Sequence, residues 1–180
     1  MRIKAEDCLF VQVDVQERLF PHIAENEELE KNLITLVKGL QLHEIPMIVN
    51  EQYKKGIGET IESLKELTDS YPHFEKTSFS CCGNEDGLCA IKDAGKKVVI
   101  LAGIETHVCV LQTALDLLEE GLTVVLVTDC VNSRKAKDKD MAIQRMIQAG
   151  VIPTTYESLL FELTVNAKNP VFKEISKLVK

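Results

Sequence analysis

The stretch that decides the fold is KVVILAGIETHVCVLQTALDLL, which spans residues 97–118. Its first part, residues 97–103, is an apolar run that ends in glycine, which is typical of a strand buried on both faces. Its second part, residues 108–118, carries apolar residues on nearly every turn and is followed by Gly121, so it predicts a helix. The stretch therefore predicts a strand, a corner and a helix, the repeating unit of α/β proteins.

Cys109 lies just past the corner between this strand and this helix. Thr106 is placed to be the N-cap of the helix, so Cys109 falls about one turn inside the helix start. Free backbone N–H groups and the positive end of the helix dipole favour a thiolate over a thiol at such a position. Cys109 is therefore a candidate nucleophile, although a small apolar residue buried in a helix would produce the same pattern.

The same alternation of strands and helices runs along the rest of the chain. The predicted strands are residues 8–14, 46–50, 97–102, 123–128 and 151–155, and residues 73–79 form either a short strand or an extended loop. The predicted helices are residues 29–43, about 60–67, 108–118, about 139–148, and two that begin near Glu157 and Asn169. Continuous apolar strands that alternate with helices predict a mostly parallel sheet covered on both faces, in a single domain over residues 1–180.

Composition and charge exclude several classes of function. The 180 residues are 45% hydrophobic and 27% charged, which are globular values, and the net charge of −7 argues against nucleic acid or an anionic membrane as the main partner. No apolar run approaches the ~20 residues that a membrane span requires, and no leader pattern opens the chain, so we expect a cytoplasmic protein. The six cysteines contain no C-x-x-C pair, so we expect free thiols and no structural zinc site.

Polar residues at the carboxyl ends of strands are the first candidates for a site, because ligands of parallel sheets bind there, where the strand order reverses. Asp14 ends the first strand, Lys76 lies in the third extended segment, and Cys109 lies just beyond the fourth strand. If the strand order is 3-2-1-4-5-6, then Asp14 and Cys109 face one crevice. The sequence pattern by itself does not give that order.

These residues and their neighbours resemble a known family. Asp14 within VQVDVQ, Lys76 within FEKT and Cys109 at its corner resemble the Asp–Lys–Cys triad of isochorismatase-like cysteine hydrolases. The segments NEQY (50–53), EKTSFS (75–80), GIE (103–105) and NPVFKEI (169–175) are similar, more narrowly, to the isochorismatase domain-containing subgroup. The resemblance implies a three-layer α/β/α sandwich, whose six-stranded sheet has the order 3-2-1-4-5-6. It also implies hydrolysis of a C–N bond, usually an amide, in a small molecule.

Each member of the triad has a chemical role in such a reaction. Cys109 attacks as a thiolate, and Asp14 takes the thiol proton and then delivers it to the departing amine. Lys76 stabilises both anions. The resemblance implies an oxyanion hole made by the backbone N–H groups of Glu105 and Cys109, and a cis peptide bond between Ile104 and Glu105. It also implies a homo-oligomer, and we expect a dimer or a pair of dimers.

The pocket is predicted less sharply than the triad. Glu51, Tyr53 and His107 are candidate substrate-binding residues, and surface roles fit each of them equally well. Vicinal Cys81 and Cys82 beside the triad lysine fit either a redox-sensitive pair or two packed small residues.

Differences from better-known relatives narrow the range of possible substrates. Nicotinamidases of this superfamily carry an Asp-x-His pair and a further histidine as a metal site, whereas the matching region appears as NEQY in this chain. The four histidines (22, 43, 73 and 107) are scattered, so we expect neither a metal nor another cofactor. Isochorismatases that act on the vinyl ether lack the cysteine nucleophile, so its presence argues against isochorismate.

Two other classes of function remain open. The chain would be a catalytically silent small-molecule-binding or scaffold protein if it kept the fold and lost turnover, because a fold does not dictate a function. A nucleotide-binding domain would suit the crevice, but both glycine-rich phosphate-binding motifs are absent.

Overall fold

The sheet has six strands, and every strand is parallel to its neighbours. The computed structural model describes residues 1–180 and has the strand order β3-β2-β1-β4-β5-β6. The strands are β1 (Cys8–Val13), β2 (Met47–Gln52), β3 (His73–Lys76), β4 (Val98–Ile104), β5 (Thr123–Asn132) and β6 (Ile152–Thr154). The predicted three-layer α/β/α sandwich and its strand order are therefore confirmed.

Helices connect the strands and cover both faces of the sheet. They are α1 (Asn26–Leu42), α2 (Lys54–Ile57), α3 (Glu62–Thr68), α4 (Glu85–Asp93), α5 (Leu111–Glu119), α6 (Ala136–Ala149), α7 (Tyr156–Thr164) and α8 (Phe172–Leu178). No helix combines the length and the apolar character needed to cross a membrane.

Strand β1 shows why the strands of this chain read as continuous apolar runs. Cys8 and Phe10 pack on one face of the sheet, in a core shared with α1, α3, α7 and α8. Leu9, Val11 and Val13 pack on the other face, against α4, α5 and α6. Since successive side chains of a strand point to opposite faces, a central strand covered on both faces is apolar at nearly every position, and Gln12 is the one polar residue of β1.

The structure decides one alternative that the sequence left open and differs from the prediction in other elements. Residues 73–79, predicted as a strand or a loop, begin with strand β3, which pairs with β2. Helix α4 was not predicted, because Gly87 and Ile91 are its only buried residues and they make a weak periodic signal. Strand β5 continues to Asn132, past the predicted end at residue 128. Strand β6, which contains Pro153, lies at the sheet edge as expected.

The corner after β4 is a wide π-helical turn, Thr106–Val110, rather than a regular helix start. The Val110 N–H donates to the Glu105 carbonyl at 3.2 Å, and Glu105 is the N-cap residue. The Thr106 hydroxyl is buried without a hydrogen-bond partner. The predicted N-cap role of Thr106 is therefore wrong, because the first hydrogen bonds of the turn close on the residue before it.

Gly103 brings the ends of β1 and β4 close together just before this corner. Its φ is 124°, and a Cβ atom at this position would lie 2.1 Å from the Val13 carbonyl oxygen. Glycine is therefore required, both for the backbone conformation and for the close approach of the two strands.

Candidate active site

The candidate site lies past the carboxyl ends of β1 and β4, where the strand order reverses. Asp14 directly follows β1 and has a positive φ of 51°. Its N–H donates to the Asn50 carbonyl at 3.0 Å, which fixes the turn against the end of β2. Cys109 lies in the turn after β4, and both side chains line one cleft. The structure thus brings these two predicted residues together.

Lys76 reaches the same point from the end of β3, two strands away from β1. Its Nζ atom lies 2.7 Å from Asp14 Oδ2, and both side chains are completely buried. The ammonium also donates to Gln52 Oε1 at 2.7 Å and to the carbonyls of Phe79 at 2.9 Å and Ser78 at 3.2 Å. All three predicted triad residues therefore meet in one place.

Burial sets the protonation of the carboxyl and the thiol. Burial raises the pKa of Asp14, and this effect outweighs the opposing effects of the Lys76 ammonium and the Cys109 thiol. Burial, followed by the negative charge of Asp14, also raises the pKa of Cys109 well above its usual range. Burial and the neighbouring Asp14 thus oppose the Cys109 thiolate that a position near the helix start is expected to favour.

The cleft beside these groups has a volume of about 310 Å³. Its walls are formed mostly by apolar side chains, with Gln52, Glu105 and Arg134 as further polar members. The lining residues are Asp14, Leu19, Gln52, Ile57, Phe79, Glu105, Val108, Cys109 and Arg134.

Glu105 forms the wall of the cleft next to Cys109. Its carboxylate accepts hydrogen bonds from the Arg134 backbone N–H at 3.0 Å and from Arg134 Nε at 2.9 Å. The peptide bond between Ile104 and Glu105 is cis. Glu105 follows β4 directly, with its side chain bound to Arg134.

The structure does not bring the three candidate substrate-binding residues into the cleft. Glu51 is buried at the opposite face, where its carboxylate accepts hydrogen bonds from the Thr60 N–H at 2.7 Å and the Thr60 hydroxyl at 2.8 Å. Tyr53 is 48% exposed and precedes α2. His107 points towards α6, with Nδ1 2.9 Å from Ser133 Oγ. These three side chains have structural or surface positions.

Sequence reasoning missed Gln52 and Arg134 as site residues. Both lie at or just beyond the carboxyl end of a strand, β2 and β5 respectively, which is the signal that selected Asp14. The apolar lining residues Leu19, Ile57 and Phe79 come from loops and a short helix, where no periodic pattern indicates which side chains face a cleft.

The remaining cysteines and acidic residues do not form a second centre. All six cysteines are free thiols, and no group of three or more His, Cys, Asp or Glu side chains is arranged to hold a metal ion. Burial raises the pKa of Cys81 to about 12 and that of Cys82 to about 11. These two thiols therefore stay protonated near neutral pH.

Fold and site together define an α/β protein of the doubly wound type, with its candidate site at the switch point of a parallel sheet. The isochorismatase domain matches residues 8–158. The chain belongs to the isochorismatase-like hydrolase family.

Individual relatives support this assignment. Isochorismatase domain-containing protein 1 of Salmo salar is 40% identical over 172 residues, which are 96% of this chain and 60% of the salmon protein. The chain thus spans about 60% of the length of that relative.

Two solved structures resemble the chain along almost its whole length. The MAR1 ribonuclease of Caenorhabditis elegans has a TM-score of 0.93 and 40% identity, covering 99% of this chain and 92% of that protein. The YcaC gene product of Escherichia coli, described as an octameric hydrolase of unknown specificity, has a TM-score of 0.94 and 28% identity, covering 99% and 89%.

Proposed function

We propose that the chain is a cysteine hydrolase that cleaves a C–N bond of the amide type in a small molecule, through a thioester on Cys109. The observation that carries this proposal is the meeting of a thiol, a carboxylate and an ammonium at one end of a cleft, with the carboxylate and the ammonium fully buried. Amide hydrolysis needs a nucleophile, a proton acceptor and a means to stabilise negative charge, and these groups can supply all three.

Asp14 is the proton acceptor in this proposal. Its Oδ2 atom is bound by Lys76, while Oδ1 is buried and has no hydrogen-bond partner. A carboxylate whose pKa is raised by burial holds a proton more readily than an exposed one, so it is a stronger base for the thiol. The thiol proton moves to Asp14 as the sulfur attacks the substrate carbonyl carbon.

Lys76 compensates the negative charge of the site at each stage. Before attack the charge resides on Asp14, and after proton transfer it develops on the sulfur and then on the carbonyl oxygen. The ammonium stays within hydrogen-bond distance of Asp14 without solvent between them, where a charge interacts more strongly than in water.

The backbone N–H groups of Glu105 and Cys109 would stabilise the oxygen of the tetrahedral intermediate. The position of both residues in the cleft lining supports this assignment. Removing one such donor typically costs about 2.7–4 kcal/mol of transition-state stabilisation.

The reaction balances as two acyl transfers. The S–C bond forms, the C–N bond breaks, and the nitrogen leaves as an amine or ammonia with the proton that Asp14 took from the thiol. Water then attacks the thioester carbonyl and gives one proton to Asp14. That proton returns to the leaving sulfur, so the products are a carboxylic acid and the free thiol.

The cleft favours a small substrate with an apolar body. Its volume of about 310 Å³ lies near the lower end of typical small-molecule pockets, and Leu19, Ile57, Phe79 and Val108 form apolar walls. Gln52 and Arg134 offer polar contacts near the reacting groups.

A panel of small primary amides, hydantoin-like ureides and carbamates tests the proposal by measuring released ammonia. We expect release from at least one member with the wild-type protein and none with Cys109→Ala. Intact-protein mass spectrometry during turnover should show an acyl adduct on Cys109. Hydrolysis that persists in Cys109→Ala would contradict the mechanism.

The alternative is a catalytically silent binding or scaffold protein with the same fold. Iodoacetamide labelling separates the two possibilities. After each labelling rate is divided by the exposed area of its thiol, an activated Cys109 would react faster than the exposed Cys89. Equal or slower labelling, together with no ammonia release across the panel, would favour the silent protein.

RNA is a further substrate to include in the panel, since the related Caenorhabditis elegans protein is described as a ribonuclease. The net charge of −7 and the small apolar cleft argue against a polynucleotide substrate. A labelled single-stranded RNA included in the panel should stay intact, and cleavage that Cys109→Ala abolishes would replace the amide proposal.

A further inference from the structure

The Lys76 ammonium has more acceptors than protons. An ammonium carries three N–H groups, whereas four oxygens lie within 3.2 Å of Lys76 Nζ. The two shortest contacts, both 2.7 Å, are to side chains: Asp14 Oδ2 and Gln52 Oε1. Three of the four acceptors are neutral, so Asp14 is the one carboxylate that touches the ammonium.

Gln52 is held rigidly in its orientation towards Lys76. Its Nε2 atom donates to the Thr77 carbonyl at 2.8 Å, which leaves Oε1 directed at the ammonium. If the amide were reversed, its NH₂ group would face the positively charged ammonium and would have no acceptor. The Gln52 backbone is fixed as well, because its N–H and carbonyl both bind the Gln16 side chain.

The position of Gln52 follows from the sheet. Gln52 and Lys76 are direct partners in the parallel pairing of β2 and β3, so their side chains lie side by side on one face. Gln52 also lines the cleft, which neither Ser78 nor Thr77 does. It therefore links the buried ion pair to the volume in which a substrate would bind.

We propose that Gln52 is a positioning residue for Lys76. Its neutral amide oxygen holds the ammonium against Asp14 Oδ2 without adding a second negative charge, and so leaves Asp14 Oδ1 free to receive the Cys109 proton. This inference rests on the proposed cysteine hydrolase function, in which Asp14 is the proton acceptor.

A charge at position 52 would disturb this arrangement in a defined direction. The charged and titratable groups near Asp14 are Lys76, Cys109, Cys81 and Glu51, with Glu105 and Arg134 further along the cleft. Glu51 already disfavours ionisation of Asp14. A carboxylate in place of the Gln52 amide would compete for Lys76 and repel the Asp14 charge, so the site would hold its proton to higher pH.

The experiment measures the rate of iodoacetamide alkylation of Cys109 between pH 5 and 9, by peptide mass spectrometry, in wild type and Gln52→Glu. We expect the midpoint of the rate profile to move up by about one pH unit in Gln52→Glu, because a neighbouring like charge shifts a carboxyl pKa by about that amount or more. A role in folding alone would not move this midpoint.

Gln41→Glu is the matched control. Gln41 is half-buried on α1, away from the cleft, and its Nε2 atom donates to the Leu67 carbonyl at 2.8 Å, the same distance as from Gln52 to Thr77. Both variants therefore lose one such hydrogen bond and gain one charge. Superimposable profiles for wild type, Gln41→Glu and folded Gln52→Glu would overturn the proposal.

Gln52→Met serves if Gln52→Glu does not fold, as judged by circular dichroism. It removes the acceptor that holds the ammonium against Asp14 without adding charge, so Asp14 loses part of its compensation and the midpoint should move to higher pH. An unchanged midpoint in folded Gln52→Met would overturn the proposal. These measurements do not depend on turnover. A failure to find hydrolysis would therefore count against the proposed function, whereas the alkylation profiles test the positioning role of Gln52 independently.

Discussion

The Lys76 ammonium and the Asp14 carboxylate form an ion pair at 2.7 Å from which solvent is completely excluded. The pair joins β3 to the end of β1, although the two residues are separated by 62 positions in the chain and by strand β2. Removing either partner leaves a buried charge without compensation, so the pair matters for stability as well as for chemistry.

Replacement of Lys76 by methionine should therefore destabilise the fold. We expect Lys76→Met to lower the free energy of unfolding by about 3–5 kcal/mol, because Asp14 is left buried and unpaired. The double variant Lys76→Met with Asp14→Asn should recover part of that loss. Urea denaturation followed by circular dichroism measures both. The control is Lys65→Met, which breaks an exposed pair with Glu59 and should have a much smaller effect.

Loss of the thiol should abolish turnover without loss of the fold. Cys109→Ala should reduce ammonia release by about 10³-fold or more, as expected for a nucleophile. Cys130→Ala removes an equally small buried thiol outside the cleft and should retain most of the activity, as should Cys81→Ala. Wild-type turnover in Cys109→Ala, or a Cys130→Ala variant that is equally inactive while folded, would contradict the assignment.

The pH dependence of activity should reflect the raised pKa of Asp14. Asp14 must be ionised to accept the thiol proton, so kcat/KM should fall as the pH decreases through the pKa of this group. Since burial raises that pKa, the midpoint of the acidic limb should lie above 3.8, the ordinary value for an aspartate. Ammonia release measured from pH 4 to 9 gives the profile. A midpoint at or below 3.8 would show that another group controls the reaction.

Activity should survive removal of metal ions. The proposed reaction takes its nucleophile from Cys109, its base from Asp14 and its positive charge from Lys76, so no step requires a metal. Ammonia release should be unchanged after dialysis against EDTA and after addition of zinc. Inactivation by EDTA that zinc reverses would overturn this expectation.

The chain should form a homo-oligomer, for which we expect a dimer or a pair of dimers. Phe79, Met141 and Ile147 are exposed apolar side chains, 55%, 57% and 44% accessible, that an interface would remove from water. Sedimentation velocity at micromolar concentration measures the size. An octamer, as described for the Escherichia coli relative, would correct the size, and a monomer would contradict the prediction.

The apolar pattern predicted a mostly parallel sheet covered by helices on both faces, although not the order of its strands. Residues 8–13 and 98–104 are buried on both faces of the sheet, and their sequences are accordingly apolar at every position except Gln12. The apolar run that ends at Gly103, together with the helical period after it, predicted the strand, the corner and the helix. Polar residues in or just after the predicted strands then indicated Asp14, Lys76 and Cys109, and the family resemblance added the strand order.

The side chains around the triad could not be chosen in the same way. Glu51 and Gln52 are neighbours at the end of β2, and only Glu51 was predicted from the sequence as a candidate site residue. Successive side chains of a strand point to opposite faces, and the pairing with β3 decides which of the two meets Lys76. Glu51 instead binds Thr60, and His107 binds Ser133 across the turn.

The sequence by itself thus predicted the strands along the chain, most of the helices, the buried runs and the polar residues at the strand ends. Tertiary structure alone decided that Gln52 accepts a hydrogen bond from Lys76, that Arg134 binds Glu105, and that burial raises the pKa of Cys109. The physical reason is that the local sequence sets the hydrophobic period and the secondary-structure propensity of each segment. Charge compensation and desolvation depend instead on groups that come together only when distant strands pair.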